Sequence, residues 1–233
     1  MRIYVHSVGW LAVAILSAAI ASDAQQRHRP PQFGQPPEDL ANALVQMARS
    51  SQTPLIAELV WPLPKVPSAE GVYLNPKNLD RLLKSAPGYE WRMEGKAVHV
   101  FSRRLRQANY NFLNLSFPEF TTPPNLSDLK LWFPGRAVGL LEGYSGAGGA
   151  ISGFPDDDLK SETLKRVILR NLTALKVLIY VANESPSFYT VLTFPNTKPT
   201  KQEAEHNVNW QWGSLHEKIK PIYAEPLGVR EPN

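Results

Sequence analysis

The chain has 233 residues, 43% of them hydrophobic and 20% charged, with a formal net charge of +4. This is enough apolar material for a folded core in one or two domains, and the dispersed, mild basicity is not the concentrated patch of a nucleic-acid binder. The absence of cysteine excludes disulfides, thiolate metal sites and a cysteine nucleophile.

The first 24 residues have the order of a secretory signal: Arg2, an apolar run at 11–21, then small residues. Ser22 and Ala24 fit the −3 and −1 positions of a cleavage site before Gln25, and Ala19 and Ala21 offer a second site. The run is shorter than the ~18–20 residues that span a bilayer. An uncleaved anchor is the alternative, since residues 3–21 are largely apolar. No later segment is long and apolar enough to cross a membrane. The expected location is therefore periplasmic or secreted, with no membrane span after cleavage. Residues 25–37, QQRHRPPQFGQPP, read as a polar, proline-rich leader.

Folding signals begin at residue 38. Leu40, Ala43, Leu44, Met47 and Ala48 recur at helical spacing, with Glu38 and Asp39 at the favourable end of the helix dipole. LIAELVW, 55–61, reads as a strand, and Pro62, Pro64 and Pro67 disfavour regular structure after it. Asn75 is a candidate N-cap with Pro76 at the first helical position, and Leu79, Leu82, Leu83 and Ala86 form the buried stripe. Pro87-Gly88 ends that helix. In YEWRM, Tyr89, Trp91 and Met93 alternate against Glu90 and Arg92. Glu94-Gly95 turns the chain, and AVHVF returns as the partner strand.

Beyond residue 103 the pattern is less regular. The run Arg103, Arg104 and Arg106 reads as a solvated linker. NFLNLSFPEF contains a strand cut by Pro118, and Leu126, Leu129 and Trp132 suggest a short helical turn before Pro134. AVGLLEGY is ambiguous between strand and helix, and residues 142–153 form a glycine-rich loop. Leu164, Val167, Ile168 and Leu172 then suggest a helix capped by Asp158 or Ser161. LKVLIYV, 175–181, suggests a strand, and SFYTVLTF a returning strand. Helix, strand, turn and strand would repeat the order of 75–101, which leaves room for an internal duplication. The tail, 195–233, is polar, and its NVNWQW could add an edge strand.

Chemical motifs are weak. EGYSGAGGAISGF has Gly143 and Ser145 of a nucleophile elbow but Ala147 in place of the last glycine, and it lacks a phosphate loop's lysine. Asp156, Asp157 and Asp158 suit a helix start better than a metal, since calcium-loop spacing is absent. No histidine pair has the spacing of a helical metal site. His99, in a strand between Val98 and Val100, reads as a packed or surface residue. Trp210 and Trp212 share one strand face, as sheet-packing residues or as an exposed platform.

LANALVQMARSSQTPLIAELV followed by NPKNLDRLLKSAPGYEWRMEGKAVHVFS resembles the short N-terminal domain of secretins and TonB-dependent outer-membrane receptors. Leu40, Ala43 and Leu44 match its first helix motif, Leu79, Leu82 and Leu83 its second, and Gly88, Tyr89 and Trp91 the start of its hairpin. The strand that usually precedes the first helix is replaced here by the polar leader, and no secretin or barrel region follows. The resemblance implies a periplasmic, protein-contacting fold and supplies no catalytic residue.

The resulting expectation is an α+β protein of small sheets packed by amphipathic helices, with two related helix-hairpin modules as one form of it. The divisions are a signal at 1–24, a leader at 25–37, modules at 38–102 and 103–194, and a tail at 195–233. The expected function is non-catalytic binding of another envelope protein, without cofactor, metal or nucleic acid. Tyr144, Ser145, Trp210 and Trp212 form the candidate binding surface. The rivals are an envelope hydrolase or carbohydrate-binding protein that uses residues 142–158, and a purely structural envelope protein.

Overall fold

The computed structural model describes residues 37–140, 159, 162–196 and 208–216. The signal, the leader, the glycine-rich loop, Asp156–Asp158 and most of the tail lie outside these residues. None of the helices among the described residues is long and apolar enough to cross a membrane.

The fold is α+β, organised on a five-stranded sheet. Its strands, in chain order of first use, are β2 (Leu55–Val60), β4 (Tyr89–Glu94), β5 (Ala97–Ser102), β8 (Phe188–Phe194) and β9 (Asn209–Ser214). Their spatial order is β4-β5-β2-β8-β9. β2 runs parallel to both β5 and β8, whereas β4 and β9 pair antiparallel at the two edges. The sheet thus takes strands from residues 38–102, from residues 103–194 and from the tail. NVNWQW does form the edge strand its alternation suggests.

Helices α1 (Leu40–Ser51) and α2 (Pro76–Leu83) cover one face. Leu40, Leu44, Leu79, Leu82 and Leu83 are buried there against Leu55, Ala57, Leu59, Val98 and Val100. The local signals explain the helix boundaries. The Asn75 side chain accepts from the Asn78 N–H at 2.9 Å and Pro76 occupies the first turn, while α1 ends where Gln52 turns left-handed at φ 50°. Lys65–Val66, between the prolines, is a short strand β3. It pairs with β1 (Glu38–Asp39) and is tied by a Lys65–Asp39 ion pair of 2.8 Å. Glu38 and Asp39 therefore serve this ribbon; Asp39 takes the N-cap position of α1 without a side-chain cap bond.

The second face carries α4 (Ala174–Glu184), α3 (Leu126–Val138) and a ribbon of β6 (Ser116–Thr121) with β7 (Ile168–Thr173). Here the element types differ from expectation. The stripe expected at 164–172 runs through irregular chain into the strand β7: Leu169 is buried but Ile168 is 54% exposed, so no helical face exists. The run expected as a strand at 175–181 is the helix α4. The Thr173 hydroxyl accepts from the Lys176 N–H at 3.2 Å and caps it. Ala174, Leu175, Val177, Leu178, Val181 and Ala182 are buried, while Lys176 and Glu184 face solvent with Tyr180 between them. That polar stripe at four-residue spacing is the helical signature. The segment is therefore strand, helix, strand, not a copy of the order in 75–101.

Helix α3 also runs past Pro134 rather than stopping before it. Leu126, Leu129, Phe133 and Ala137 continue one buried stripe across the proline. Phe133 stacks edge-on against Phe117 and Phe120 at centroid distances of 5.8 and 5.5 Å, and against Trp210 at 5.6 Å. Each such buried ring contributes roughly 1.5–3 kcal/mol. β6 accommodates Pro118 because Asn171 on β7 turns to φ 52° opposite it and the regular pairing skips that position.

Asn183 joins the faces. From the last turn of α4, its amide donates to the Glu94 carbonyl at 3.0 Å and its oxygen accepts from the Lys96 N–H at 2.6 Å. Gly95 sits between at φ 68°, where a Cβ would lie 2.4 Å from the Asn183 oxygen. We expect Asn183→Ala to destabilise the protein by about 1–3 kcal/mol, since the Lys96 and Glu94 groups lose their partner. Chemical denaturation measures the loss, and amide exchange at Lys96 should accelerate beyond the global change.

Candidate functional site

Two features on the described surface have the makings of a site: the free edge of β4 and a polar cluster beneath it.

β4 is the outermost strand beside β5, and no described strand pairs with its outer edge. The Arg103 N–H donates to the Gly88 carbonyl at 2.9 Å. With Tyr89 opposite Ser102, this fixes the alternation. The backbone groups of Glu90, Arg92 and Glu94 bond to β5, and those of Tyr89, Trp91 and Met93 point outward. The Tyr89 N–H is used by the Ala86 carbonyl at 3.3 Å, which leaves Trp91 and Met93 as the open positions. Met93 is 50% exposed. Trp91 donates its indole N–H to Asp80 at 2.8 Å, holding the strand to α2. The Tyr89 hydroxyl accepts from the Val60 N–H at 3.0 Å, satisfying the end of β2 where β5 no longer pairs with it.

The polar cluster lies on the opposite face. Glu58 is 3% exposed in the otherwise apolar β2, and His99 is 2% exposed in β5. A buried carboxylate is costly unless every oxygen is bonded. Here His99 Nε2 meets Glu58 Oε1 at 2.6 Å, and the Asn111 amide donates to Oε2 at 2.6 Å. The Glu58 bond makes Nε2 the protonated ring nitrogen. Nδ1 is buried with no hydrogen-bond partner. Asn111 is itself anchored to the Leu105 carbonyl at 3.2 Å, in the loop after β5.

A cavity of about 50 Å³ opens beside this cluster. Glu58 and His99 form its polar part, Phe101 and Leu175 its apolar walls, and Arg92, Arg106 and Asn114 the remainder. Arg92 Nε pairs with Glu94 at 2.6 Å, and its guanidinium lies 5.4 Å from the Phe101 ring centroid. The arginine run is thus more than a solvated linker: Arg103 pairs with Glu90, Arg104 with Asn196, and Arg106 lines the cavity.

Of the candidate binding residues, Tyr144 and Ser145 lie outside the described residues. Trp210 and Trp212 are not an exposed platform. Trp212 is 7% exposed, and the two rings stack at 5.3 Å on the aromatic cluster of Phe112, Phe133 and Phe188. Trp210 donates its indole N–H to Thr190 at 2.8 Å. Packing won because their strand face looks into the second-face core. His99 is packed, as its strand position suggests, but with a carboxylate partner that spacing along the chain does not reveal. Glu58 and Asn111 were not singled out from sequence. The available signal was one acid in LIAELV and one imidazole in AVHVF, both runs otherwise apolar.

Two outcomes follow. Glu58→Leu would leave a buried imidazole without its acceptor, and His99→Leu a buried carboxylate without its donor. Each should cost about 3–5 kcal/mol, and the double variant should cost less than the sum of the two. Urea denaturation of the four proteins checks this. Burial also raises the Tyr89 phenol above its ordinary value of 10.0, against smaller opposing effects of the Val60 backbone and Arg104. The folded state therefore holds that proton more tightly. The stability it lends is complete below about pH 10 and is lost as pH rises through the folded-state value. Tyr89→Phe should flatten this alkaline decline, measured by denaturation across the alkaline range.

No family model, curated protein or solved structure matches this chain.

Proposed function

We propose that the protein is an exported, non-catalytic module of the bacterial envelope that binds another protein by strand addition to β4. The observation that carries this reading is the open edge itself: the outward backbone groups of Trp91 and Met93, with Met93 half exposed beside them. An extended segment of a partner could continue the sheet there, taking affinity from main-chain hydrogen bonds and specificity from alternate side chains. Edge strands left open are normally guarded against unwanted pairing. The ion pairs Arg92–Glu94 and Arg103–Glu90 place charge along this strand, which favours a selective partner over indiscriminate aggregation. The signal-like N-terminus and the resemblance of residues 38–102 to a periplasmic contact domain support the location and the class of partner.

The test must leave the sheet intact. Deleting residues 38–102 would remove β2, β4 and β5, so loss of binding would say little. Met93→Pro instead removes one outward N–H and no bond to β5. We expect a partner captured from envelope extracts by the wild-type chain to be lost, or weakened at least tenfold, with Met93→Pro, whereas Trp132→Lys, on the exposed side of α3, retains it. Circular dichroism should show both variants folded. Capture unchanged by Met93→Pro rejects the strand-addition reading, and recovery of the whole chain in the cytosolic fraction rejects the exported one.

A further inference from the structure

We propose that the cavity at His99 is a binding site for a small oxyanion, a carboxylate or inorganic phosphate, held by His99, Arg92 and Arg106. The inference begins with an orphan. His99 is 2% exposed, its Nε2 is committed to Glu58, and its Nδ1 is buried without a partner. Buried polar atoms are nearly always satisfied, so such an atom on a cavity wall points to something that occupies the cavity. The volume, about 50 Å³, exceeds the ~10–15 Å³ that one water requires and admits a group of a few heavy atoms.

The charge pattern selects the occupant. The charged groups lining the cavity are Glu58 from β2, Arg92 from β4 and Arg106 from the loop after β5. α4 contributes Leu175 and the short helix Phe112–Asn114 contributes Asn114, both uncharged. Arg92 uses Nε for Glu94, and the terminal nitrogens of its guanidinium make no hydrogen bond to any described residue. When His99 takes up a proton at Nδ1, Glu58 balances the imidazolium and Glu94 balances Arg92. Among the described residues Arg106 then has no acidic partner. One anion completes the neutralisation, accepts from Nδ1–H, and gains charge-assisted bonds from the two guanidinium groups. A cation would meet two arginines, and an apolar ligand would leave Nδ1 unsatisfied.

Glu58 and Asn111 act as positioning residues in this scheme. Asn111 fixes Glu58, and Glu58 fixes the ring that lines the cavity, so the imidazole needs no reorganisation on binding.

The test uses the full chain, with sodium phosphate or sodium acetate titrated against sodium chloride at equal ionic strength. Calorimetry and thermal unfolding follow binding. The expected result is saturable binding of phosphate, acetate or both, absent with chloride. The two anions as separate arms tell which oxyanion fits. Arg106 is exposed, so Arg106→Ala should fold normally and weaken binding by about tenfold or more. His99→Gln, where it folds, should weaken binding, and ¹⁵N spectra of wild-type His99 should show the Nδ1 resonance shifting on saturation. Failure of both anions to bind more than chloride, or binding that Arg106→Ala leaves intact, overturns the proposal and leaves a cavity filled by water.

Discussion

The structure depends on one strand. β2 is buried along its whole length and runs parallel to both neighbours, so both its faces must be covered and both its edges paired. Parallel pairing cannot be made by a tight turn, so the chain must leave and return through crossovers. The route from β2 to β5 passes through α2 and β4, on the first face. The other neighbour, β8, is reached only after β6, α3, β7 and α4, which cover the second face. Residues 38–102 and 103–194 are each incomplete around β2: the first supplies β5 and one helical layer, the second supplies β8 and the other layer. The Trp61 N–H reaching the Phe194 carbonyl at 2.8 Å extends the same dependence beyond the strand end.

Placing an acid in such a strand makes a strong demand. Glu58 projects into the second face beside the cavity, and its stability rests on neighbours brought from 41 and 53 residues away. β5 delivers His99 because it lies beside β2 in parallel register, two residues out of step and so on the same face, with Ile56 opposite His99 and Glu58 opposite Phe101. The loop after β5 delivers Asn111 by folding back over the sheet. An apolar residue at 58 would satisfy packing at less risk. The arrangement therefore orients an imidazole, which core packing alone does not require. It also sets the aromatic ring of Phe101 4.9 Å from the imidazole, as an apolar wall of the cavity that His99 and Arg92 both line.

The sequence disclosed the first half well because its signals are local and mutually consistent. Asn75-Pro76, Pro87-Gly88 and Glu94-Gly95 are caps and turns whose chemistry operates over a few residues, and the intervening periodicities are clean. The second half conceals its elements for specific reasons. LKVLIYV is rich in β-branched residues and is apolar almost all round, because α4 lies between the sheet and the second-face core and has only a narrow polar stripe at Lys176, Tyr180 and Glu184. The β7 segment offers Leu164, Val167, Ile168 and Leu172 at helical spacing by coincidence. Its ladder to β6 is the deciding fact, and that partner is some fifty residues earlier, with Glu119 opposite Arg170. The Glu58–His99–Asn111 cluster was legible only as polar residues misplaced in apolar runs. Which ones meet is set by sheet order, and sheet order is a long-range property.

The two surfaces of interest share structural members. β4 presents its outer backbone edge to solvent and its Arg92 side chain to the cavity, opposite His99 in the ladder. Its far end is braced by Asn183, which rises from the same helix that sets Leu175 in the cavity wall. A strand added to β4 would restrict the torsional freedom of Arg92 through the backbone it stiffens. An anion held by Arg92 would likewise favour the strand geometry that aims its guanidinium inward. A partner strand and an anion would thus act on one strand, and by reciprocity any coupling between them would be equal in both directions.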